Sequence, residues 1–181
     1  VPKGVMLSHK NLISNVYSCQ RAIDLSAKDR FLCLLPMFHT FSWTVCVLLP
    51  LCLGASVVIV ESVRPFGKVL KAMFFNRATV FVAVPQIFSA VTKIPFKKFF
   101  RFLLPVRFCV SGAAPLSMII YRKFKDKFNI PLLQGYGLTE ASPVVSMNPL
   151  HGKIKPDSIG LPLPGVEVKL INEEGREVVD Y

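Results

Sequence analysis

The chain has 181 residues, of which 52% are hydrophobic, and its formal net charge is +11, from 22 Lys and Arg against 11 Asp and Glu. This length and hydrophobicity suffice for one domain with a substantial core and exclude a disordered chain. The charge indicates polyanionic partners, such as nucleotides, phosphate-rich cofactors, anionic lipid or nucleic acid. The same excess would arise if the chain were a piece of a larger protein whose other part balances the charge.

Apolar periodicity predicts helices that alternate with short strands. Helices are predicted at residues 9–23, with Ser8 as the cap, and at 40–53, 65–76, 86–92 and 116–128, and strands at 31–35, 56–60, 79–84, 106–110, 131–134 and 166–171. This alternation predicts an α/β fold whose parallel-rich sheet has helices on both faces, with a β-rich segment near the carboxyl terminus. Ligands bind beyond the carboxyl ends of such strands, which selects the loops after Val60, Val110 and Gln134.

Residues 41–60 carry no charge and are long enough to span a bilayer. Pro50 and Gly54 interrupt this stretch, and residues 55–60 are rich in β-branched side chains, as a buried strand would be. We therefore prefer a buried helix, a glycine turn and a buried strand, and a membrane span is the alternative.

The cysteines and histidines indicate neither a disulfide framework nor a metal site. The five cysteines form no Cys-x-x-Cys pair and lie in apolar surroundings, which predicts reduced, mostly buried thiols in a cytosolic protein. The three histidines are far apart in the sequence. The chain begins without Met or a signal-peptide pattern, and it stops without a helix or strand terminator, so both ends are interpreted as cuts.

The strongest local signal for a functional site is the glycine-rich segment 134–140, which reads Gln-Gly-Tyr-Gly-Leu-Thr-Glu. Two glycines that flank an aromatic residue just past a strand end can present Tyr136 flat against a planar base. Thr139 offers a hydroxyl to a phosphate oxygen, and Glu140 offers a hard oxygen ligand suited to Mg²⁺. Acids are scarce in this part of the chain, although an ordinary surface acid remains the alternative for Glu140.

A weaker candidate for phosphate binding is the pair Lys3-Gly4 at the amino terminus. A lysine beside a glycine can offer an ammonium group and backbone N–H groups to phosphate oxygens. Taken alone, the pair is explained more simply by an exposed lysine at a chain end.

Segment 134–140 resembles the signature loop of the adenylate-forming superfamily, which comprises acyl-CoA synthetases, peptide-synthetase adenylation domains and luciferases. Further segments resemble motifs of this family in the same order: the end of its phosphate loop and the next helix (2–5 and 7–12), its Pro-x-x-His segment (35–39), its adenine-side loop (110–115) and the turn that follows (159–165). The matches run from residue 1 to about residue 171. The chain is therefore identified as a member of this superfamily, of the acyl-CoA synthetase type, with residues 1–181 forming the second half of the large AMP-binding domain.

The resemblance implies a role for each candidate site residue. Lys3 and Thr139 would hold the ATP phosphates, and Glu140 would bind Mg²⁺, which makes these three the expected catalytic residues. The nucleotide would be bound by Gly112, Ala113, Ala114, Gly135, Tyr136, Gly137 and Thr139, with Tyr136 stacked on adenine. The acyl pocket would be lined by His39, Val84, Gly112 and Gly137. Packing in the core, near Trp43 for the histidine, is the alternative for His39 and Val84.

The reaction implied by the resemblance is the ATP-dependent activation of a carboxylic acid to an acyl-adenylate, followed by transfer to coenzyme A. The expected cofactors are ATP, Mg²⁺ and coenzyme A, and the apolar wall segments favour a fatty acid as substrate. An enzyme that loads an acyl carrier protein is the alternative within the superfamily. The front of the phosphate loop would precede Val1, and the ribose-binding Asp and the lid domain with its catalytic Lys would follow Tyr181. We therefore expect the isolated chain to be inactive.

Residues 94–108 combine five Phe with several Lys and Arg, a composition suited to an anionic membrane surface. A solvated basic loop whose Phe side chains fill the core is the alternative. We expect a cytoplasmic enzyme with peripheral contact to the inner membrane face and no nucleic-acid partner. A membrane-associated or nucleic-acid-binding protein without enzymatic activity is the alternative from another class.

Overall fold

The computed structural model describes residues 3–95 and 103–178, so the basic, Phe-rich segment 94–108 lies partly outside the described residues. Within these ranges the helices are α1 (His9–Ala22), α2 (Thr40–Ser42), α3 (Leu49–Leu53), α4 (Gly67–Phe75), α5 (Pro85–Lys93) and α6 (Met118–Phe128), with a π-helical segment (Trp43–Leu48) and a 3₁₀ helix (Thr139–Ala141). The strands are β1 (Arg30–Cys33), β2 (Ser56–Ile59), β3 (Val80–Ala83), β4 (Phe108–Ser111), β5 (Leu132–Gly137), β6 (Val144–Met147) and β7 (Leu161–Pro162).

The strands form one sheet in the order β2-β1-β3-β4-β5-β6-β7. The first five are parallel, whereas β6 and β7 pair antiparallel at one edge. Because β1 and β3 are neighbours while β2 lies on the far side of β1, the strand order reverses between them. Ligands bind at such a topological switch point in α/β sheets. The predicted α/β fold with a parallel-rich sheet is confirmed.

Side-chain alternation along the strands divides the core into two layers. Phe31 and Val80 point to one face of the sheet, which α1 and the helical residues 40–53 cover. Leu32 and Phe81 point to the other face, which α4, α5 and α6 cover. Helices therefore cover both faces, as predicted.

The uncharged stretch 41–60 forms a helix, a turn and a strand, as preferred from the sequence. Helical structure runs from residue 40 to residue 53, Gly54 ends it with φ of 68°, and β2 follows. The π-helical turn within it was not predicted. Pro50 has no N–H and its ring crowds the carbonyl of an α-helical turn, which explains the wider turn, in which the Leu49 N–H bonds Thr44 O. Of the helices in the described residues, none is both long and apolar enough to cross a membrane.

The carboxyl-terminal third corrects two predictions. Strand β5 was expected to stop at Gln134, but it continues through Gly137 because β6 pairs with it, Tyr136 lying opposite Ser146. The strand predicted at 166–171 is wrong: the described residues there form a single antiparallel bridge, between Ile171 and Glu177. Val166 packs partly against the core, but Val168, Leu170 and Ile171 are exposed and lack a neighbouring strand, so the alternating pattern does not produce a sheet.

Candidate functional site

A cavity of about 250 Å³ lies between the sheet and the helical layer formed by α1 and residues 40–53. The sheet contributes Phe31, Val80, Phe108 and Val110 to its wall, and the helices contribute Cys19, Ile23, Val45 and Leu49. Among the described residues that line it, none is Asp, Glu, Lys or Arg. The interior is therefore suited to an uncharged, apolar group.

The cavity extends along the full length of β4. Phe108, the first residue of β4, and Gly112, just after its last residue, both line it. Four residue steps at roughly 3.3 Å each give a depth of about 13 Å. The mouth lies at the carboxyl edge of the sheet, where His39, Thr40 and the segment 135–139 meet. The floor, at the amino edge, is formed by Ile23, Leu25, Phe31, Val80 and Phe108.

An ionic cluster fastens the strands at the amino edge of the sheet. Asp29, which is 2% exposed, accepts hydrogen bonds from Arg107 Nη1 at 2.7 and 2.8 Å and from Thr79 Oγ1 at 2.7 Å. Burial alone would raise the pKa of Asp29, but these bonds and one from the Ser26 N–H outweigh it and lower the pKa. The cluster ties the beginnings of β1, β3 and β4 together.

At the mouth, the start of α2 contacts the glycine-rich segment. The hydroxyl oxygens of Thr40 and Thr139 are 3.0 Å apart, within hydrogen-bond distance. His39 caps α2 by accepting the Phe41 N–H at Nδ1, 3.2 Å away. His39 is exposed and lines the mouth, so it does not lie in the core.

The site glycines are required by packing within the chain. A Cβ on Gly112 would lie 2.7 Å from the Phe41 ring, and one on Gly137 would lie 2.2 Å from the Pro143 carbonyl oxygen. Both glycines were predicted to line the acyl pocket, and both line the cavity. The Phe41 ring and the turn before β6 lie in close contact with them, which defines the width of the mouth.

Most of the nucleotide-side candidates line the same mouth, and Glu140 follows one of them in the chain. Tyr136 is 46% exposed, and Ala113 has a left-handed φ of 64°, which exposes its backbone beyond β4. Glu140 is exposed on the 3₁₀ helix next to Thr139 and makes no ion pair within the described residues. A free carboxylate, a hydroxyl and an exposed aromatic ring at one edge fit a nucleotide with its Mg²⁺.

Some predicted site residues lie apart from the cavity. The described residues that line it do not include Lys3, Val84, Ala114 or Glu140. Val84 is the residue before α5 and accepts the Ile87 N–H, so its position is explained by helix capping. Lys3 is exposed at the start of the described chain.

Sequence reasoning missed one buried polar contact beside the site. Asn15 of α1 donates from Nδ2 to the Val144 carbonyl at 2.7 Å, and its Oδ1 accepts the Val144 N–H at 3.1 Å. These two hydrogen bonds to the Val144 backbone fix α1 against β6 next to the mouth. The signal was present in the sequence, because Asn15 is a polar residue beside the apolar positions Val16 and Cys19 of α1.

Among the described residues, Cys19 is the one cysteine that lines the cavity. Burial raises the pKa of this thiol to about 12 and keeps it neutral. Cys33 and Cys46 are close together outside the cavity wall. Their mutual hydrogen bond lowers the pKa of Cys33 and raises the pKa of Cys46.

Comparisons with known proteins agree with this geometry. The model of the family described as AMP-binding enzyme matches residues 1–181. The chain is 32% identical to a long-chain-fatty-acid–CoA ligase of Bacillus subtilis over 179 residues, covering 98% of this chain and 32% of that protein. It is 34% identical to 4-coumarate–CoA ligase 3 of Arabidopsis thaliana over 193 residues, covering 100% and 34%. The crystal structure of ATP-bound MatB from Rhodopseudomonas palustris has a TM-score of 0.88 at 31% identity, covering 97% of this chain and 34% of that chain.

The parallel sheet and the apolar cavity that opens at a glycine-rich strand end thus occur in a chain that the family model matches over its whole length. The chain belongs to the AMP-binding enzyme family, which confirms its identification as an acyl-CoA synthetase-type member of the superfamily. It spans about a third of the length of the curated relatives it matches.

Proposed function

We propose that the protein carrying this chain activates a carboxylic acid with ATP to an acyl-adenylate and transfers the acyl group to coenzyme A. The observation that carries the proposal is one cavity with two chemically distinct ends. Its mouth has the hydroxyl of Thr139 and the exposed ring of Tyr136, whereas its interior is apolar. The mouth suits the adenylate part of an acyl-adenylate, and the apolar interior suits its acyl chain.

Each polar residue of the mouth has a role in this proposal. Tyr136 stacks on adenine, with residues 112–114 beside it, and Thr139 and Lys3 hold the phosphates. The Thr40 hydroxyl, 3.0 Å from that of Thr139, restricts the Thr139 side chain to one orientation. Glu140 ligates Mg²⁺, which when bound neutralises charge that develops on the phosphates as pyrophosphate leaves.

The reaction needs no nucleophile from the protein. The carboxylate of the substrate attacks the α-phosphorus of ATP, and pyrophosphate carries away the displaced electron pair. The chain contributes by holding the carboxylate at the mouth and by excluding water from the apolar cavity behind it. The neutral Cys19 thiol in the wall is consistent with this role, since its pKa is raised to about 12.

A fatty acid fits the cavity better than a doubly charged acid or an amino acid does. The names of related ligases include long-chain fatty acid, 4-coumarate and malonate, so family membership leaves the acid open. A second carboxylate or an ammonium group in the cavity would be buried without a partner, because no acidic or basic side chain lines it in the described part of the chain. An uncharged tail about as long as the 13 Å depth incurs no such penalty.

The whole reaction requires parts that the resemblance places outside residues 1–181. We propose that the isolated chain does not turn over, and that the complete protein is cytoplasmic. Free thiols support the second point, since none of the five cysteines forms a disulfide and four are buried.

ATP–pyrophosphate exchange by the complete protein tests the proposal, with saturated fatty acids, 4-coumarate, malonate and amino acids offered separately. We expect exchange with fatty acids, lost in Glu140→Gln and kept in Asp126→Asn, which removes an exposed carboxylate from α6, on the opposite face of the sheet from the cavity. The absence of exchange with every acid, from folded protein, would refute adenylation. A second incubation with coenzyme A or an acyl carrier protein identifies the acceptor.

A further inference from the structure

The positive charge of the chain is concentrated in one stretch of its sequence. Between Glu61 and Asp126 the sequence contains 12 Lys and Arg and no acid, whereas the remaining residues contain 10 bases and 11 acids. This stretch includes α4, α5 and nearly all of α6, the helices that cover the second face of the sheet. The adenylation site lies on the first face and at the carboxyl edge, so the proposed reaction does not use this charge.

The outer sides of α4 and α6 combine bases with exposed apolar side chains. On α4, Lys68, Lys71 and Phe75 are spaced i, i+3 and i+7, which places them on one side of the helix, opposite the buried Val69 and Met73. Phe75 is 75% exposed.

Helix α6 repeats the arrangement. Ile119, Arg122 and Lys123 are spaced i, i+3 and i+4 and lie opposite the buried Tyr121 and Phe124. Ile119 is 67% exposed. Since α4 and α6 pack on the same face of the sheet, their outer sides point in the same direction.

We propose that this surface, the basic face defined by Lys68, Lys71, Phe75, Ile119, Arg122 and Lys123, binds the protein peripherally to an anionic phospholipid membrane. The four bases make no ion pair within residues 3–95 and 103–178, so their charge is available to acidic headgroups. Phe75 and Ile119 supply the apolar groups that enter the boundary between headgroups and acyl chains.

The exposed apolar residues favour a membrane over a nucleic acid. A phosphate backbone would satisfy the lysines and arginines but would leave Ile119 in water, whereas a lipid surface accommodates both kinds of side chain. The proposal concerns a different face from the cavity and does not depend on which acid is activated. A membrane is also where free fatty acids partition, so such binding would place the enzyme next to the substrate proposed above.

Vesicle binding of the complete protein tests the proposal without ATP or acid, which separates its outcome from that of the activity assay. Sedimentation uses phosphatidylcholine vesicles with and without phosphatidylglycerol. We expect binding to the anionic vesicles alone, weakening as salt is raised. Each base near an anionic surface contributes about fivefold to the partition coefficient, so the double variant Lys68→Gln and Lys71→Gln should bind about 30-fold more weakly.

A matched variant controls for net charge. Lys153→Gln with Lys155→Gln removes the same charge from a loop whose Leu150 and Ile154 pack against the opposite face of the sheet. We expect this pair to retain vesicle binding, and Phe75→Ala to weaken it about tenfold through lost apolar contact.

Three results would overturn the proposal. The first is no binding of the folded protein to anionic vesicles, as would occur if another part of the protein covered the basic face. The second is equal weakening in both double lysine variants, which would show a net-charge effect. The third is release from vesicles by duplex nucleic acid, together with unchanged binding by Phe75→Ala, which would indicate a nucleic-acid surface.

Discussion

Replacing Val80 by Ile adds one methylene group to the floor of the cavity. Val80 begins β3, is 1% exposed and lines the cavity opposite its mouth. Isoleucine keeps the β-branched shape, so the strand preference and the side-chain rotamer are preserved. The cavity loses about the volume of one methylene group at its floor. The longest accepted acid is then one carbon too long to fit.

The expected magnitude follows from the burial of that methylene. Burying one CH₂ group is worth about 0.8 kcal/mol, which corresponds to about a fourfold change in kcat/KM. We therefore expect Val80→Ile to lower kcat/KM about fourfold for the longest accepted acid relative to the acid one carbon shorter. Acids too short to reach the floor should be unaffected.

Val82→Ile is the matched control for this change. Val82 lies on the same strand and the same face of the sheet and is 0% exposed, but it does not line the cavity. Overpacking there would cost about 1–3 kcal/mol of stability without altering the preference for chain length.

The assay measures pyrophosphate release by the complete protein over a series of saturated acids that differ by one carbon, with thermal unfolding followed in parallel. A shift in chain-length preference confined to Val80→Ile supports the cavity as the acyl site. An equal shift in both variants, or an unchanged preference in well-folded Val80→Ile, would refute this reasoning.

Three further predictions concern the framework of the site. Gly137→Ala places a Cβ where Pro143 O is 2.2 Å away, so we expect β5 and β6 to separate locally, with a lower Tm and a lower kcat/KM. Asn15→Ala leaves two buried backbone groups of β6 unpaired, and we expect urea unfolding to show a loss of about 2–4 kcal/mol. Because Arg107 and its neighbours lower the pKa of Asp29, ionised Asp29 stabilises the fold at neutral pH, and this stability should fall as the pH drops below about 4. Asp29→Asn should flatten that pH dependence in denaturant titrations.

Different outcomes would contradict these three predictions. An unchanged Tm in Gly137→Ala would mean that the turn before β6 yields without cost. Wild-type stability in Asn15→Ala would show that water replaces the lost amide. Equal pH dependence in Asp29→Asn and wild type would assign the acid sensitivity to other carboxylates.

Most of the parallel fold was predictable because its signals are local. Ser8 caps α1 through its bond from the Asn11 N–H, and Gly54 adopts the left-handed conformation that ends α3. Strand β6 was not predicted, because the short run 144–147 is a strand only through its pairing with a partner that contains two glycines. The bridge at Ile171 shows the reverse case, in which strand-like alternation has no partner to pair with.

The residues predicted for the site coincide only in part with those that line the cavity, and neither the depth of the cavity nor its supports was predicted. The glycine-rich segment and His39 do meet at one mouth, as the motif order indicated. The floor could not be foreseen, because Phe31, Val80 and Phe108 are separated in sequence and come together only through strand register. The contact between Thr40 and Thr139 joins residues 99 positions apart and has no local signal.

A crystal structure of the complete protein with decanoyl-sulfamoyl-adenosine, a hydrolysis-resistant analogue of an acyl-adenylate, tests the central claim most directly. We expect the decanoyl tail to fill the cavity as far as Val80 and Phe108, and the adenine to stack on Tyr136. A tail bound outside this cavity, or an adenine without contact to Tyr136, would contradict that claim.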